Sequence, residues 1–337
     1  MLNRKMRKEL KEKIKRILNE IVLYSKVLKA VKKGLPNSTK HRLNKYFGDK
    51  KGEKISDLIE ISYEDVNDKS MLKYWRYHST IKLYKSNTIK NIISFMLNSI
   101  VPGLTIRGKP VTYKMVFDEI QNLQWPADIF LMGGTIRDSL RREPPNDIDT
   151  AISCSPNDIK KICEKNKWKY HINTKYSYFM IGEKNGDEYL EGKDIYSSLK
   201  PLVKDEFCMN ALFYDLRNNI IIDKTGKGIE SALNHKLTFP VDELNWNEWM
   251  EPSKFFRFYK FRLRNYTATY KQKRFILTKF RQNIRNDFSF RGKILFKRLH
   301  TSKKELINII SDDIKKVFLF DEINDNIEWY KSYINNL

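Results

Sequence analysis

One short segment constrains the fold more than any other part of the chain. Residues 131–149 read LMGGTIRDSLRREPPNDID and directly follow an apolar run. The pattern predicts a buried strand, a glycine turn, a helix and a second strand, over residues 127–132, 133–134, 135–142 and 147–153. Side chains two residues apart on a strand project from one face, so Asp147 and Asp149 are expected to converge on one site.

Phosphate and metal chemistry both use this combination. Two carboxylates on one strand suit one or two Mg²⁺ ions, which clamp the attacking and leaving oxygens of a phosphoryl transfer. Gly133 and Gly134 expose backbone N–H groups at the start of a helix, where a triphosphate binds favourably. Taken alone, a Gly-Gly pair before a helix is more often a tight turn, and two aspartates two residues apart are more often a solvated strand end or a cap. Their joint spacing is typical of the active site of a nucleotidyltransferase.

The charge of the chain is unevenly distributed, and its formal net value is +23. Lys and Arg number 27 against 12 Asp and Glu in 1–125, 17 against 21 in 126–253, 17 against 1 in 254–304, and 3 against 7 in 305–337. An acidic centre between basic arms is the balance expected if the centre binds cations and the arms hold a polyanion, with nucleic acid the first candidate. The alternative is that the Lys-rich helices are only well solvated.

The second basic arm, 254–304, also interleaves aromatic residues with its cations. Such a composition suits phosphate contacts combined with base stacking. The alternative, favoured for most of these rings, is that they pack a helical core. The aromatic residues in question are Phe255, Phe256, Phe258, Tyr259, Phe261, Tyr266 and Tyr270.

The remaining patterns predict three regions: a basic helical extension over 1–124, an α/β head over 125–240, and a helical neck and C-terminal region over 241–337. The extension is expected to hold helices over 3–33, 37–47, 68–99 and 112–123. In the head, the pattern predicts a helix over 156–166, strands over 176–181 and 188–191 around an Asn185-Gly186 turn, a helix or its edge over 207–214, and a strand over 219–223.

Cysteine usage and apolar run lengths narrow the class of protein. Cys154, Cys163 and Cys208 are odd in number and lack metal-ligand spacing, which favours reduced thiols in the cytoplasm or another reducing compartment. The apolar stretches are shorter than a membrane span needs, so no membrane segment is expected.

Three segments together resemble the head-domain signature of the class II tRNA CCA-adding enzymes and bacterial poly(A) polymerases. LMGGTIRDSLRREPPNDIDTAIS is similar to their G-G-x-x-R-D, short loop and D-x-D pattern. KDEFCMNALFYD, at 204–215, is similar to R-R-D-F-T-x-N-A-L, and IIDKTGKGIESALNHKL, at 221–237, to D-P-x-G-G-x-x-D-L. The resemblance covers about 126–265 and implies a head of the DNA polymerase beta-like nucleotidyltransferase type.

The resemblance also implies roles for individual residues. Asp147 and Asp149 are expected to bind Mg²⁺ for catalysis. A nucleotide, ATP or CTP, is expected to lie against Gly133, Gly134, Arg137, Asp138, Lys204, Asn210 and Arg257. Glu188 matches the family acid ahead of a T-F-R-like tripeptide, with Lys193 in the Arg position, although Glu191 fits nearly as well.

The chain departs from the family pattern at two motifs. Asp205 stands where the family has the second Arg of Arg-Arg-Asp, which places an anion beside the expected phosphate site. The base-reading E-D-x-x-R motif is expected near 251–262, where Glu251 or Arg257 can be matched but not both together. The family's helical body is also missing after the head, so a protein partner is a candidate replacement.

These observations predict template-independent addition of nucleotides to an RNA 3′ end, with a tRNA or another structured RNA as primer. The basic arms, 1–124 and 254–304, are expected to hold that RNA. Three alternatives stay open: a poly(A) polymerase, an RNA-binding or assembly subunit with an inactive head, and nucleotidyl transfer to a small molecule or a protein.

Overall fold

The structure, a computed structural model, describes residues 37–75, 79–106, 109–123, 127–173, 178–181, 190–198, 202–284 and 288–337. The predicted helix over 3–33, the Asn185-Gly186 turn and Glu188 lie outside this part of the chain. Within it, no helix has the length and apolar character needed to cross a membrane. The three cysteines are free thiols.

Strands and helices alternate through the first two thirds of the chain, and helices alone follow. The strands are β1 Ile59–Ile61, β2 Lys82–Lys85, β3 Ile100–Ile106, β4 Lys109–Thr112, β5 Ile129–Met132, β6 Asp149–Ile152, β7 Tyr170–Asn173, β8 Tyr178–Ile181, β9 Leu190–Asp194, β10 Leu212–Asp215 and β11 Ile220–Asp223. The helices are α1 Asn37–Phe47, α2 Asn87–Leu97, α3 Tyr113–Gln121, α4 Gly134–Ser139, α5 Pro156–Lys165, α6 Ile195–Ser198, α7 Gly228–Leu233, α8 Trp246–Trp249, α9 Pro252–Arg262, α10 Tyr270–Asn283, α11 Phe288–Lys297, α12 Lys303–Val317 and α13 Phe320–Asn335.

A mixed sheet forms the centre of the head, with strand order β1-β2-β11-β10-β5-β6-β9-β8-β7. Strands β6 and β9 are parallel, and the other neighbouring pairs are antiparallel. Side chains alternate between the faces of β5, as strand geometry requires. Ile129 and Leu131 join the larger core, which continues into the C-terminal helices, while Phe130 packs with Trp75 and Phe213 in a smaller core on the other face.

The description of residues 1–124 as helical is incomplete, because two strands of this segment join the sheet of the head. The predicted helix over 68–99 is instead a 3-10 turn, Lys69–Tyr74, followed by β2 and α2. Leu83 of β2 is buried while Lys82 and Lys85 at the ends of the strand are exposed, and β2 pairs with β11. The helices predicted over 37–47 and 112–123 are confirmed as α1 and α3.

The helix or helix edge predicted over 207–214 is correct only in part, because residues 208–210 form a 3-10 helix and residues 212–214 belong to strand β10. All four residues of β10 are buried, since the strand lies between β5 and β11. A short apolar run buried on both faces cannot be distinguished from a helix by its periodicity. The predicted strand at 219–223 is confirmed as β11, and the helices predicted from residue 246 onwards are confirmed as well.

Aromatic residues of the second basic arm form the core of the C-terminal helices. Phe255 of α9 stacks on Phe280 of α10, with ring centres 3.8 Å apart, and lies parallel to Tyr330 of α13. The favoured prediction, that most of these rings pack a helical core, is therefore confirmed for the six that are buried: Phe255, Phe256, Phe258, Tyr259, Phe261 and Tyr266. Tyr270 is exposed, and its hydroxyl donates to the Val317 carbonyl.

Many cations of this arm pair with carboxylates that lie outside it. Asp313 is fully buried and binds the Arg262 guanidinium through both oxygens, while Lys273 approaches the same carboxylate to 2.9 Å. Four further pairs are Arg257–Glu206, Lys271–Glu243, Arg274–Glu322 and Arg281–Asp325. These charges therefore hold helices together.

Candidate active site

The glycine turn lies at the end of β5, beside the start of β6. Gly133 has a φ of +62°, a left-handed conformation that strains any residue with a Cβ atom. Met132, the last residue of β5, pairs directly with Asp149, the first residue of β6. Helix α4 starts at Gly134 and ends at Ser139, so it is shorter than predicted.

The two aspartates approach this turn in different ways. Asp149 lies on β6, but Asp147 precedes the strand by two residues, so the strand geometry predicted for the pair does not apply. The Thr135 hydroxyl of α4 instead donates to the Asp147 backbone carbonyl at 3.1 Å. This contact ties the loop that carries Asp147 to the helix that follows the glycines.

Arg137 is held by three charged or polar contacts. Its guanidinium donates to both carboxylate oxygens of Asp138, at 2.6 and 2.8 Å, and to the Asn210 side-chain oxygen at 2.6 Å. Only 6% of Arg137 is exposed, and its guanidinium carbon lies 5.0 Å from the centre of the Phe261 ring. Burial opposes the charge of Arg137, but the Asp138 carboxylate raises its pKa. The residue is a fixed cation.

Glu206 extends this set of contacts to the neck. The Asn210 amide donates to one Glu206 oxygen at 3.0 Å, and the Arg257 guanidinium lies 2.9 Å from the other. Burial acts to raise the pKa of Glu206, but Arg257 and Asn210 hold it below its usual value. A continuous polar chain thus runs from α4 through Asn210 and Glu206 to helix α9.

Asp205 does not stand as an unpaired anion in this site. Its carboxylate lies 2.8 Å from the Lys224 ammonium, and the Lys224 side chain is 0% exposed. The Asp205 carbonyl also accepts a hydrogen bond from the Trp249 indole. The Lys224 ammonium therefore neutralises the carboxylate that departs from the family pattern.

Helix α9 and the residues after it bring further positive charge towards Asp147. The surrounding protein withdraws water from the Asp147 carboxylate and raises its pKa, while Lys260 and Arg137 act in the opposite direction. Burial, together with Arg257 and Arg264, lowers the pKa of Lys260 to about 8. Neither Lys260 nor Arg264 lies in a motif from which the sequence predicts a site. The only pattern that indicates them is the series of basic residues along 257–264.

A pocket of about 510 Å³ opens between the head and α9. Its lining consists of Lys204, Glu206, Glu251, Ser253, Lys254 and Arg257. Glu251 and Arg257, which the sequence motif could match only as alternatives, therefore line the same pocket. Lys254 is buried and donates to the Trp249 carbonyl at 2.7 Å, and burial lowers its pKa to about 8.

The register of the sheet bears on the third acid of the predicted site. Glu191 pairs with Asp149 across the parallel strands β6 and β9, and Lys193 pairs with Ala151. Glu188 lies outside the described residues. Across the residues that the structure does describe, no three His, Cys, Asp or Glu side chains form a group able to hold a metal ion.

Residues 129–198 match the model of a protein family, the poly A polymerase head domain. This part of the chain is therefore similar to a poly A polymerase head domain. The matched residues run from β5 through α4 and β6 to α6 and include Gly133, Gly134, Asp147 and Asp149. The predicted fold class, an α/β nucleotidyltransferase head with a helical C-terminal region, is confirmed.

Several solved structures are similar to the chain beyond the head domain. A CCA-adding enzyme with CTP is 16% identical, with a TM-score of 0.45, over 60% of this chain and 53% of that one. A Thermotoga maritima CCA-adding enzyme complexed with tRNA is 11% identical, with a TM-score of 0.41, over 82% and 55%. The chain thus spans about half the length of these enzymes. No curated protein matches it.

Proposed function

We propose that this protein adds nucleotides from ATP or CTP to an RNA 3′ end without a template. The primer 3′ hydroxyl gives its proton to solvent and its oxygen bonds to the α-phosphorus, while the bond from that phosphorus to the β-phosphate oxygen breaks and pyrophosphate leaves with the electron pair. The observation that carries the proposal is the position of Asp149 opposite Met132, beside the glycine turn of a poly A polymerase head domain.

The residues beside this turn suit Mg²⁺. Asp147 and Asp149 offer hard carboxylate oxygens, and protein sites for Mg²⁺ use one or two carboxylates together with substrate phosphates. When bound there, Mg²⁺ neutralises charge on the reacting phosphate. Asp147 and Asp149 would hold the ion, with Glu188 or Glu191 as the proposed third acid.

The chain's own cations supply the nucleotide site. Lys260 and Arg264 add positive charge near Asp147, which attracts a triphosphate. Arg137 fixes Asn210 through a 2.6 Å hydrogen bond, so that Asn210 presents one orientation to the nucleotide. Gly133 and Gly134 let the nucleotide approach the backbone, and Asp138 keeps Arg137 in place.

The pocket between head and neck is the proposed site for the nucleotide base. Its volume of about 510 Å³ falls within the range of small-molecule sites. Lys204 and Arg257 provide donors there and Glu251 an acceptor, which suits the mixed donor and acceptor edge of adenine or cytosine. Because Glu206 binds both Asn210 and Arg257, it positions the head and the neck around one nucleotide.

An RNA-binding subunit with an inactive head is the main alternative from another class. Two departures from the family pattern favoured it, namely Asp205 and the incomplete base-reading motif. Pairing with Lys224 neutralises Asp205, and the pocket holds both Glu251 and Arg257. Within the enzyme class, the product separates short C and A addition from poly(A) synthesis.

The test is incorporation of each labelled nucleotide into tRNA that lacks its 3′ end and into an unstructured RNA, with Mg²⁺ present. Wild type is compared with Asp147→Ala/Asp149→Ala and with Asp312→Ala/Asp321→Ala, a control that removes two exposed carboxylates from the C-terminal helices. We expect wild type and the Asp312→Ala/Asp321→Ala control to incorporate nucleotides, and Asp147→Ala/Asp149→Ala to incorporate none. Equal inertness of wild type and Asp147→Ala/Asp149→Ala, with RNA still bound, would favour the binding subunit.

A further inference from the structure

Helix α1 presents a basic face to solvent at the surface of the head. Thr39, Leu43 and Phe47, four residues apart, are buried, so the opposite face of the helix is exposed. That face carries His41, Arg42, Lys45 and Tyr46, and the following loop adds exposed Lys50 and Lys51. We call these six residues the α1 surface.

Three lysines of the α1 surface, Lys45, Lys50 and Lys51, are available to a partner. Among the residues that the structure describes, no carboxylate forms an ion pair with Lys45, Lys50 or Lys51. Their charges therefore add up to a positive potential, which attracts a polyanion. The paired cations of α9 and α10 lack this property.

Tyr46 adds a second kind of contact. Its ring stacks on Phe95 of α2, with centres 4.6 Å apart, and the Arg42 guanidinium carbon lies 5.2 Å from the centre of the Phe95 ring. Even so, 47% of Tyr46 is exposed. An aromatic ring that is fixed on one face and open to solvent is a platform on which a nucleic-acid base stacks.

The loop that carries Lys50 and Lys51 docks beside the segment that leads to the candidate active site. The loop after α1 docks on the end of α4, because the Gly52 amide donates to the Arg141 carbonyl and the Ile55 amide to the Leu140 carbonyl. Five residues lie between Arg141 and Asp147, so their Cα atoms are at most about 20 Å apart.

We propose that the α1 surface binds the RNA primer just behind its 3′ end. Arg42, Lys45, Lys50 and Lys51 contact phosphates, and Tyr46 stacks on an unpaired or terminal base. The identity of the bound RNA as a primer rests on the proposed function, whereas its binding to the α1 surface does not.

The surface does not suit an anionic membrane, the other common polyanion. A helix that lies on a bilayer buries an apolar face among the lipids. The apolar residues of α1, Leu43 and Phe47, are already buried in the protein core. The α1 surface combines cations with an exposed aromatic ring, and this combination fits single-stranded or terminal RNA.

The experiment measures RNA affinity without nucleotides, so that it does not depend on catalysis. The probe is a 5′-fluorescein-labelled RNA hairpin with a single-stranded 3′ tail, followed by anisotropy at several salt concentrations. The variant is Lys45→Glu/Lys50→Glu/Lys51→Glu, and Lys→Gln at the same positions is a milder version. Lys315→Glu/Lys316→Glu/Lys331→Glu is the matched control, with three exposed lysines on α12 and α13.

We expect the α1 variant to lose about tenfold or more in affinity, and its slope of log affinity against log salt to fall by about 2 to 3 because three phosphate contacts are lost. The control should stay within about twofold of wild type, because its lysines lie away from the RNA. Tyr46→Ala should weaken binding by about 5- to 150-fold, as for loss of one stacked base, while Tyr46→Phe should bind like wild type.

Unchanged affinity and salt slope in the α1 variant would overturn the α1 surface as an RNA site and leave the proposed catalysis untouched. Equal losses in variant and control would overturn it too, since the effect would then reflect overall charge. Loss of binding to phosphatidylserine vesicles with intact RNA binding would assign the surface to membranes. Conversely, a specific loss of RNA affinity in a protein that incorporates no nucleotide would support this surface and reject the proposed activity.

Discussion

Two basic regions of this protein look alike in composition and differ in structure. Residues 40–54 carry six Lys and Arg against two acids, and 254–304 carry 17 against one. In the second region six cations pair with five carboxylates from other parts of the chain. In the first, the cations of the α1 surface project into solvent without such partners among the described residues.

The difference teaches that a count of charges along the chain does not identify a binding surface. In 254–304, six cations contact carboxylates of other segments, and one of these cations, Arg257, lines the pocket beside the head. In 40–54, the lysines of the α1 surface remain available to a partner. An ion pair that is buried contributes little to long-range attraction, because the partner cancels its field. Six of the 17 cations in 254–304 thus pair with carboxylates, and RNA binding by this arm stays a prediction.

The largest effect is expected from Asp313→Ala in the second region. The change leaves the largely buried side chains of Arg262 and Lys273 without their counter-charge, and breaking a buried pair in this way costs about 3 to 5 kcal/mol of unfolding free energy. Urea denaturation measures it, with the exposed neighbour Asp312→Ala as control. A loss below about 1 kcal/mol would mean that these cations do not depend on Asp313.

A smaller effect is expected from Arg257→Ala, which separates the nucleotide site from the RNA surface. Removing its charged hydrogen bond to Glu206 should raise the apparent KM for the nucleotide by about 5- to 30-fold, after allowing for its partial exposure. RNA affinity should be unchanged. Arg281→Ala, which removes an arginine paired with Asp325 away from the pocket, is the control. A fall in RNA affinity instead would return Arg257 to the RNA-binding surface.

Lys254 should make the stability of the neck depend on pH. Burial lowers its pKa to about 8, so between about pH 8 and 10 the unfolded chain binds a proton that the folded chain lacks. The free energy of unfolding therefore gains from this residue as pH rises through that range, and below about pH 8 its penalty is constant.

Replacing this lysine isolates the effect. The stability advantage of Lys254→Met over wild type should shrink by about 1 to 2 kcal/mol between about pH 7.5 and 9.5. Urea denaturation at both pH values gives the difference, and the exposed Lys304→Met is the control. A constant difference would show that Lys254 keeps its charge across this range.

The smallest effect is expected from removing charge on the α1 surface. Lys45→Gln/Lys50→Gln/Lys51→Gln should change the free energy of unfolding by less than about 0.5 kcal/mol, since exposed side chains without partners contribute little. Thermal and urea denaturation check this beside the RNA measurements. A large loss of stability would make these lysines structural, like those of the second region, and remove the contrast.

Prediction from the sequence succeeded where local pattern and structure coincide. The β5, glycine turn, α4 and β6 unit was predicted because its strand, turn and helix signals follow one another within about 25 residues. Prediction failed for β2 and β10, each of which lies between a strand that is near in sequence and one that is distant, β11 for β2 and β5 for β10. Strand β10 is buried between β5 and β11, so it shows no alternation that would distinguish it from a helix.

By itself the sequence determined the head-domain motif, the glycine that needs a left-handed backbone and the presence of an aspartate pair. Each of these depends on neighbouring residues, which carry their own conformational preferences. Only the tertiary structure decided that Arg137, Asn210, Glu206 and Arg257 form one polar chain, and that Lys224 neutralises Asp205. It also decided which lysines are free, because ion pairing depends on distances of a few ångströms between side chains that sequence order does not encode.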